Sequence, residues 1–229
     1  MKNSFKFTLF ISLVICLVSS LAVSLSVSLL KERQQVELEK DKKKNILFAA
    51  SLYTPGMDVL EFFKNFVEKV YCHLDEKKIV EQESKEEIFI QKDLAKIYKR
   101  PSVVEVYVLK KYKLIIFPIY GKGLWSTMYG FLSVKEDMES IEGISFYAHG
   151  ETPGLGGEIE NKQWQSSWKG KKLYQDNKIV LEVVKHRAEK DYEIDALSGA
   201  TITTKGVENM VKYWFDLYQP LLQQLKEKL

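Results

Sequence analysis

Val103-Val104-Glu105-Val106-Tyr107-Val108-Leu109, then Lys110-Lys111-Tyr112-Lys113, then Leu114-Ile115-Ile116-Phe117-Pro118-Ile119-Tyr120 is the stretch that decides the fold. Two runs rich in β-branched and aromatic residues flank a short polar link, which is the pattern of a β-hairpin. Working outward, Phe131 to Lys135, Ile144 to Tyr147 and Lys178 to Lys185 read as further strands. The runs are short and several are joined by hairpin-length links, so antiparallel strands are expected.

On the N-terminal side, Val59, Phe63, Phe66, Val67, Val70, Tyr71 and Leu74 recur at helical spacing and predict an amphipathic helix over 58–74. Thr54-Pro55 offers a helix start, since proline is tolerated in the first turn. Cys72 and His73 fall at the end of that helix, with structural roles. Residues 75–98 are polar without clear period and predict loop and short helix. On the C-terminal side, from Thr204 onward, Val207, Met210, Val211, Trp214, Phe215 and Tyr218 return to helical spacing, and Pro220 breaks or kinks that helix. Residues 51–229 therefore form an α+β domain with antiparallel strands and flanking helices.

Ahead of this domain, Phe7 to Leu30 contains 24 residues without a charge. At about 1.5 Å per residue it reaches roughly 36 Å, against a hydrocarbon core of about 30 Å. Residues 1–30 are thus a short tail and one transmembrane anchor. A cleaved signal peptide is the alternative, with Ala22-Val23-Ser24 as a conceivable cleavage site, but the apolar run continues past it to Leu30. A lipoprotein is disfavoured because Ile15 precedes Cys16. Six serines in the run make the anchor mildly polar, or fit it to pack against partner helices. Residues 31–50 are charged and rich in helix formers, as in a juxtamembrane helix or stalk. The excess of lysine and arginine over positions 31–44 points the domain to the cytoplasm, but long domains translocate largely regardless of that count.

Composition narrows the function. The 229 residues are 45% hydrophobic and 28% charged, as in a folded protein rather than a disordered one. A net charge of +3 gives no support to nucleic-acid binding. Two cysteines cannot ligate an iron–sulfur cluster or build a disulfide framework. The three histidines, His73, His149 and His186, have neither metal nor triad spacing, so no catalytic residue and no metal ligand is assigned.

Eight of the twelve glycines fall between positions 121 and 157. They sit mainly in Gly121-Lys122-Gly123-Leu124-Trp125-Ser126 and in Gly150-Glu151-Thr152-Pro153-Gly154-Leu155-Gly156-Gly157-Glu158. These are either tight turns or loops that wrap a flat ligand. Neither is a phosphate loop or a dinucleotide fingerprint. A third segment, Asp195-Ala196-Leu197-Ser198-Gly199-Ala200-Thr201-Ile202-Thr203-Thr204, precedes the C-terminal helix. Thr203 or Thr204 would cap that helix, or the helix start would bind a phosphate.

Together the three segments resemble a known pattern. Asp195 to Thr201 resembles the acceptor motif of proteins that carry covalently bound FMN. GKGLWSTMYGF (121–131), GETPGLGGEIEN (150–161), Trp164, Trp168 and Gly170-Lys171-Lys172-Leu173 are similar to the C subunit of the sodium-translocating NADH:quinone oxidoreductase. The resemblance covers residues 1–40 in architecture and about 100–218 in motif. It implies an FMN-binding domain whose flavin phosphate is esterified to Thr201, attached from FAD by a separate magnesium-dependent flavin transferase. Asp195, Ser198, Gly199 and Ala200 match the recognition motif and shape the turn. Thr152, Gly154 and Leu155 match the loop that lies against the isoalloxazine, and Trp125 matches the neighbouring loop. Backbone N–H groups there would tune the ring. Lys171 and Lys205 are weighed as flavin or phosphate contacts and read instead as solvated.

The implied role is electron transfer between redox centres of neighbouring membrane and flavin subunits, as part of NADH oxidation, quinone reduction and sodium export. The implied location is the bacterial inner membrane, single-pass, with the C-terminal domain periplasmic. The G subunit of the Rnf electron-transport complex shares the anchor, an ETPGLG-like loop and the acceptor motif, and ranks second. A non-redox membrane-anchored assembly module and a free-standing flavin enzyme are the readings from other classes.

Overall fold

The computed structural model describes residues 2–90 and 93–229, with side chains from residue 5 onward. It divides into two compact units, Met1–Asp41 and Lys42–Leu229.

The first unit is helical. Helix α1, Lys2–Ala49, runs unbroken through the apolar stretch and the charged stretch after it, without a break near residue 31. The large apolar side chains from Phe5 to Leu30 are all exposed around the helix, as lipid contact requires. Ser12 Oγ donates to the Thr8 carbonyl at 2.9 Å and Ser26 Oγ to the Ala22 carbonyl at 2.8 Å. These hydroxyls are satisfied within the helix, which lowers the cost of placing them in hydrocarbon.

The second unit opens with the last turns of α1 and with α2, Val59–Phe66. The strands follow in order: β1 Glu68–His73, β2 Lys78–Val80, β3 Glu87–Phe89, β4 Lys99–Pro101, β5 Val103–Leu109, β6 Leu114–Lys122, β7 Thr127–Lys135 and β8 Ile141–Ala148. After the short helix α3, Lys162–Ser166, come β9 Tyr174–Gln175, β10 Lys178–Ile179, β11 Glu182–Val184 and β12 Glu193–Asp195. Helices α4, Thr201–Tyr218, and α5, Leu222–Lys226, close the chain. Six strands form one antiparallel sheet in the order β2-β1-β5-β6-β7-β8.

The sheet is covered on both faces, which is why its central strands read as nearly continuous apolar runs. Ile115, Phe117 and Ile119 of β6 join the larger core with α4. Leu114 and Ile116, alternating with them, join a second cluster with Ile46, Ala49, Ala50 and Phe63. Helix α4 is fixed to β6 by more than area. Trp214 Nε1 donates to the Tyr120 carbonyl at 2.7 Å and the Tyr218 hydroxyl to the Pro118 carbonyl at 2.8 Å. The Phe117 ring lies 5.1 Å from that of Phe215 and 4.8 Å from that of Tyr218. Pro118 lacks an N–H, and it falls where β6 pairs with β7 but has passed its registered pairing with β5.

Several expectations are corrected. The helix predicted over 58–74 ends at Phe66, and Glu68–His73 is a strand paired with both β2 and β5. Val70, Cys72 and Leu74 are buried in alternation, a period of two that was hidden inside the period of 3.6. Asp58, rather than Thr54-Pro55, starts α2: its Oδ1 accepts the Leu60 and Glu61 N–H groups at 2.9 and 3.0 Å. Short strands β2 and β3 replace the loop and helix expected over 75–98; Gln91 and Lys92 within it lie outside the described residues. The strand expected over 178–185 is broken into β10 and β11. Helix α4 begins at Thr201, three residues early, and Pro220 sits in a single 3-10 turn between α4 and α5.

Burial pushes the Cys72 thiol up to about 12, so it is an inert core residue.

Candidate functional site

Three segments meet at one end of the β6–β7–β8 sheet: the link 123–126 between β6 and β7, the link 149–161 that follows β8, and the turn 196–200 that enters α4. They meet on a carboxylate. Glu151 accepts the N–H groups of Leu124, Trp125 and Ser126 at 3.1, 2.9 and 3.0 Å. It also accepts the Thr203 hydroxyl at 2.6 Å. One side chain thus ties the first link to the first turn of α4 from within the second link. Glu151 is 5% exposed. Burial alone would push its carboxyl up, but the Thr203 hydroxyl and the three N–H groups outweigh burial and hold it below the usual range.

This packing leaves no room for a methyl group. A Cβ on Gly156 would lie 2.6 Å from Thr203 Oγ1 and 3.0 Å from Glu151 Oε2, and one on Gly123 would lie 2.6 Å from Glu151 Oε1. These glycines permit close approach between segments of the protein itself. The link 149–161 is folded on its own backbone: the Leu155 and Gly157 N–H groups both donate to the Thr152 carbonyl.

The acceptor turn is built differently. Gly199 adopts φ +72°, a left-handed conformation that turns the chain into α4. Ala200 occupies the N-cap position, without a side-chain cap. The expected caps do other work: Thr203 Oγ1 donates to Glu151, and Thr204 Oγ1 donates to the Ala200 carbonyl at 2.9 Å. An uncapped helix start presents N–H groups and a partial positive charge to an anion.

Around that start lies a depression of about 440 Å³ lined by Leu124, Trp125, Glu151, Thr152, Leu155 and Thr201, among others. Leu124, Trp125, Leu155 and Ile202 are exposed apolar side chains at this place, Trp125 at 68%. Thr201 is exposed at the helix start. An apolar surface beside an uncapped helix N-terminus fits a ligand with a flat ring at one end and a phosphate at the other. A second depression, of about 450 Å³, is rimmed by Lys113, Lys135, Glu136, Asp137 and Glu142 and contains none of the motif residues.

The structure brings Trp125, Thr152, Leu155, Gly199, Ala200 and Thr201 around one depression. Gly154 is exposed at φ +74° in the same link, and Ser198 is exposed in the turn. Asp195 faces elsewhere: its Oδ1 accepts the Ala188 N–H at 2.6 Å and its carbonyl accepts Trp164 Nε1 at 2.8 Å. It supports the turn from behind. The expectation that the 123–126 link offers N–H groups to the ring is corrected for Leu124, Trp125 and Ser126, which donate to Glu151. Lys205 pairs with Glu208 at 2.7 Å and Lys171 donates to the Lys190 carbonyl. Sequence reasoning missed Glu151, Leu124 and Ile202. The available signal for Glu151 was a lone acid among glycines.

Comparison with known proteins gives a consistent result. The FMN-binding domain pattern matches residues 123–216. The chain is similar to the C subunit of the Na(+)-translocating NADH-quinone reductase of Haemophilus ducreyi, with 38% identity over 98% of this chain and 96% of that protein. It is similar to the corresponding protein of Yersinia pestis, with 35% identity over 96% and 92%. The crystal structure of Shewanella oneidensis NqrC superposes with a TM-score of 0.77 at 30% identity, over 84% of this chain and 99% of that one.

Proposed function

The chain belongs to the NqrC family, the C subunits of Na(+)-translocating NADH-quinone reductases, and from that premise we propose that it transfers electrons within such a complex and holds FMN through a phosphoester bond to Thr201. The observation that carries this reading is a difference among three neighbouring threonines. Thr203 and Thr204 are each 1% exposed, with hydroxyls committed to Glu151 and to the Ala200 carbonyl. Thr201 is exposed beside the apolar depression, at an uncapped helix start. A flavin transferase using FAD can reach Thr201 on the folded domain, whereas the other two hydroxyls are buried.

Bound FMN would supply the redox chemistry, accepting and releasing electrons on its ring. The residues of this chain bind and orient it. The N–H groups of the first turn of α4 and the helix dipole favour the phosphate. Leu124, Trp125, Leu155 and Ile202 offer the apolar surface for the ring, and Gly199 lets the backbone approach. In forming the ester the Thr201 hydroxyl oxygen bonds to the phosphorus on the FMN side of the FAD pyrophosphate, the bond from that phosphorus to the AMP oxygen breaks, and AMP leaves as the hydroxyl proton is lost. The threonine plays no part in electron transfer.

On this reading α1 crosses the bacterial inner membrane once, the domain faces the periplasm, and other membrane and flavin subunits of the complex supply and take the electrons. The apolar, exposed side chains of α1 from Phe5 to Leu30 support the anchor. A C-terminal alkaline phosphatase fusion is active if the domain is periplasmic and inactive if it is cytoplasmic. For the covalent bond, full-length protein from a host with active transferase is run on a denaturing gel under ultraviolet light. A fluorescent band that is lost in Thr201→Val supports attachment at Thr201; a dark wild-type band, or a bright Thr201→Val band, overturns it.

A further inference from the structure

We propose that Glu151 is the positioning residue of the flavin site and that its charge lowers the reduction potential of the FMN held there. This deepens the reading above and rests on FMN being attached at Thr201. Three consecutive backbone N–H groups that converge on one point form a receptor for an anion. Here Leu124, Trp125 and Ser126 form such a receptor, and the anion they receive is the protein's own carboxylate.

Other N–H groups of the neighbouring link are also committed. That of Gly150 donates to Ser126 Oγ, that of Glu151 to His149 Nδ1, and those of Leu155 and Gly157 to the Thr152 carbonyl. N–H groups aimed at a flavin ring stabilise the negative charge that arrives on reduction and raise its potential. These donors face the protein, so that route is closed for them.

The carboxylate acts on the ring in their place, with the opposite sign. Glu151 lines the same depression as Thr201, Trp125 and Leu155. It is nearly excluded from water, and a charge poorly screened by water acts further than an exposed one. Lys122 on the neighbouring link and the partial positive charge at the start of α4 offset part of it. Lys122 Nζ donates to the Trp125 carbonyl at 3.2 Å, and His149 Nε2 lies 3.0 Å from a Glu160 carboxylate oxygen. The N–H donors and the Thr203 hydroxyl hold the carboxylate ionised without cancelling its full charge.

Two substitutions separate charge from shape. Glu151→Gln keeps the outline and removes the negative charge: its oxygen still accepts from Trp125 and Ser126 and its amide donates to Thr203, while the Leu124 N–H, which gave to the other carboxylate oxygen, loses its acceptor. Thr203→Val also removes one hydrogen bond from the clamp, but it keeps the charge. Wild-type and variant full chains are produced with active flavin transferase, checked for flavin fluorescence on a denaturing gel, and titrated potentiometrically in detergent. All three are expected to carry flavin, with the midpoint potential raised in Glu151→Gln and not raised in Thr203→Val. An unchanged potential in flavinylated Glu151→Gln overturns the proposal. So does an equal rise in both variants, which would assign the effect to clamp geometry, and so does loss of flavin from Glu151→Gln alone. A dark wild-type band fails the covalent reading, and this proposal with it, and is told apart from the other outcomes at the gel.

Discussion

Glu151 packs against the first turn of helix α4 and Glu208 is part of that helix, and both are almost completely buried, at 5% and 2% exposure, yet they are held by different kinds of partner. Glu151 takes three N–H groups of a fixed backbone loop and one buried hydroxyl. Glu208 takes the ammonium groups of Lys205 and Lys212, each at 2.7 Å, and the Val183 N–H at 3.3 Å. If Glu208 is removed, the lysines can swing into water. If Glu151 is removed, the N–H groups of 124–126 keep their direction and lose their acceptor. A carboxylate that organises backbone is therefore worth more to local structure than one that pairs with mobile cations, even at equal burial.

The largest expected effect is that of Glu151→Ala. It leaves several inward-facing donors unsatisfied at about 1–3 kcal/mol for each such group, and their joint loss is below the sum. A destabilisation of about 3 kcal/mol is expected in chemical unfolding of the full chain in detergent. A change below about 1 kcal/mol would show that water or loop movement replaces the clamp. Next comes Gly156→Ala, whose methyl collides with Thr203 Oγ1 and Glu151 Oε2. Forcing extra volume into a packed site costs about 1–3 kcal/mol, and a thermal melt of the variant measures it.

Glu208→Ala comes third, at about 1 kcal/mol, because most of what it loses is pairing with Lys205 and Lys212, whose ammonium groups reach water and are rehydrated when the carboxylate is gone. Its effect should shrink as salt rises from low to high ionic strength, whereas that of Glu151→Ala should hardly change. Salt-independent loss at Glu208 would erase the distinction between the two sites.

Acid is the mildest probe. For Glu208, burial pushes the carboxyl up, but Lys205 and Lys212 outweigh it, so both carboxyls titrate below their usual range. The stability each contributes is fully present above the unfolded-state pKa of about 4.3 and is lost as pH falls through the lower folded value. Unfolding free energy followed from pH 7 downward should therefore fall off below about pH 4, less steeply in Glu151→Gln. An identical acid profile in that variant would mean that the Glu151 carboxyl titrates over the same pH range in the folded and the unfolded chain.

The same contrast explains what the sequence made legible. The central hairpin could be read because β5 and β6 are buried on both faces and carry apolar residues almost without interruption. Strand β1 could not: Val67, Val70, Tyr71 and Leu74 satisfy a helical period, and pairing with β2 and β5 selects the strand. The lysine pairs of Glu208 sit three and four residues away and belong to ordinary helix spacing. The partners of Glu151 are backbone atoms 25 to 27 residues earlier and a hydroxyl 52 residues later, which no local pattern reports. The start of α4 is hidden in the sequence because Ser198 to Thr204 has the small, hydroxyl-rich composition of a turn. The structure instead folds Thr201 onward as helix, with Ala200 at the N-cap position and no side-chain cap.

The most direct measurement is the mass of the intact full-length chain and of its peptide containing Thr201, after expression with active flavin transferase. Covalent FMN at Thr201 predicts an added mass of one FMN less one water, carried by that peptide and absent from Thr201→Val. An unmodified wild-type peptide, or the same added mass on a peptide lacking Thr201, would contradict it.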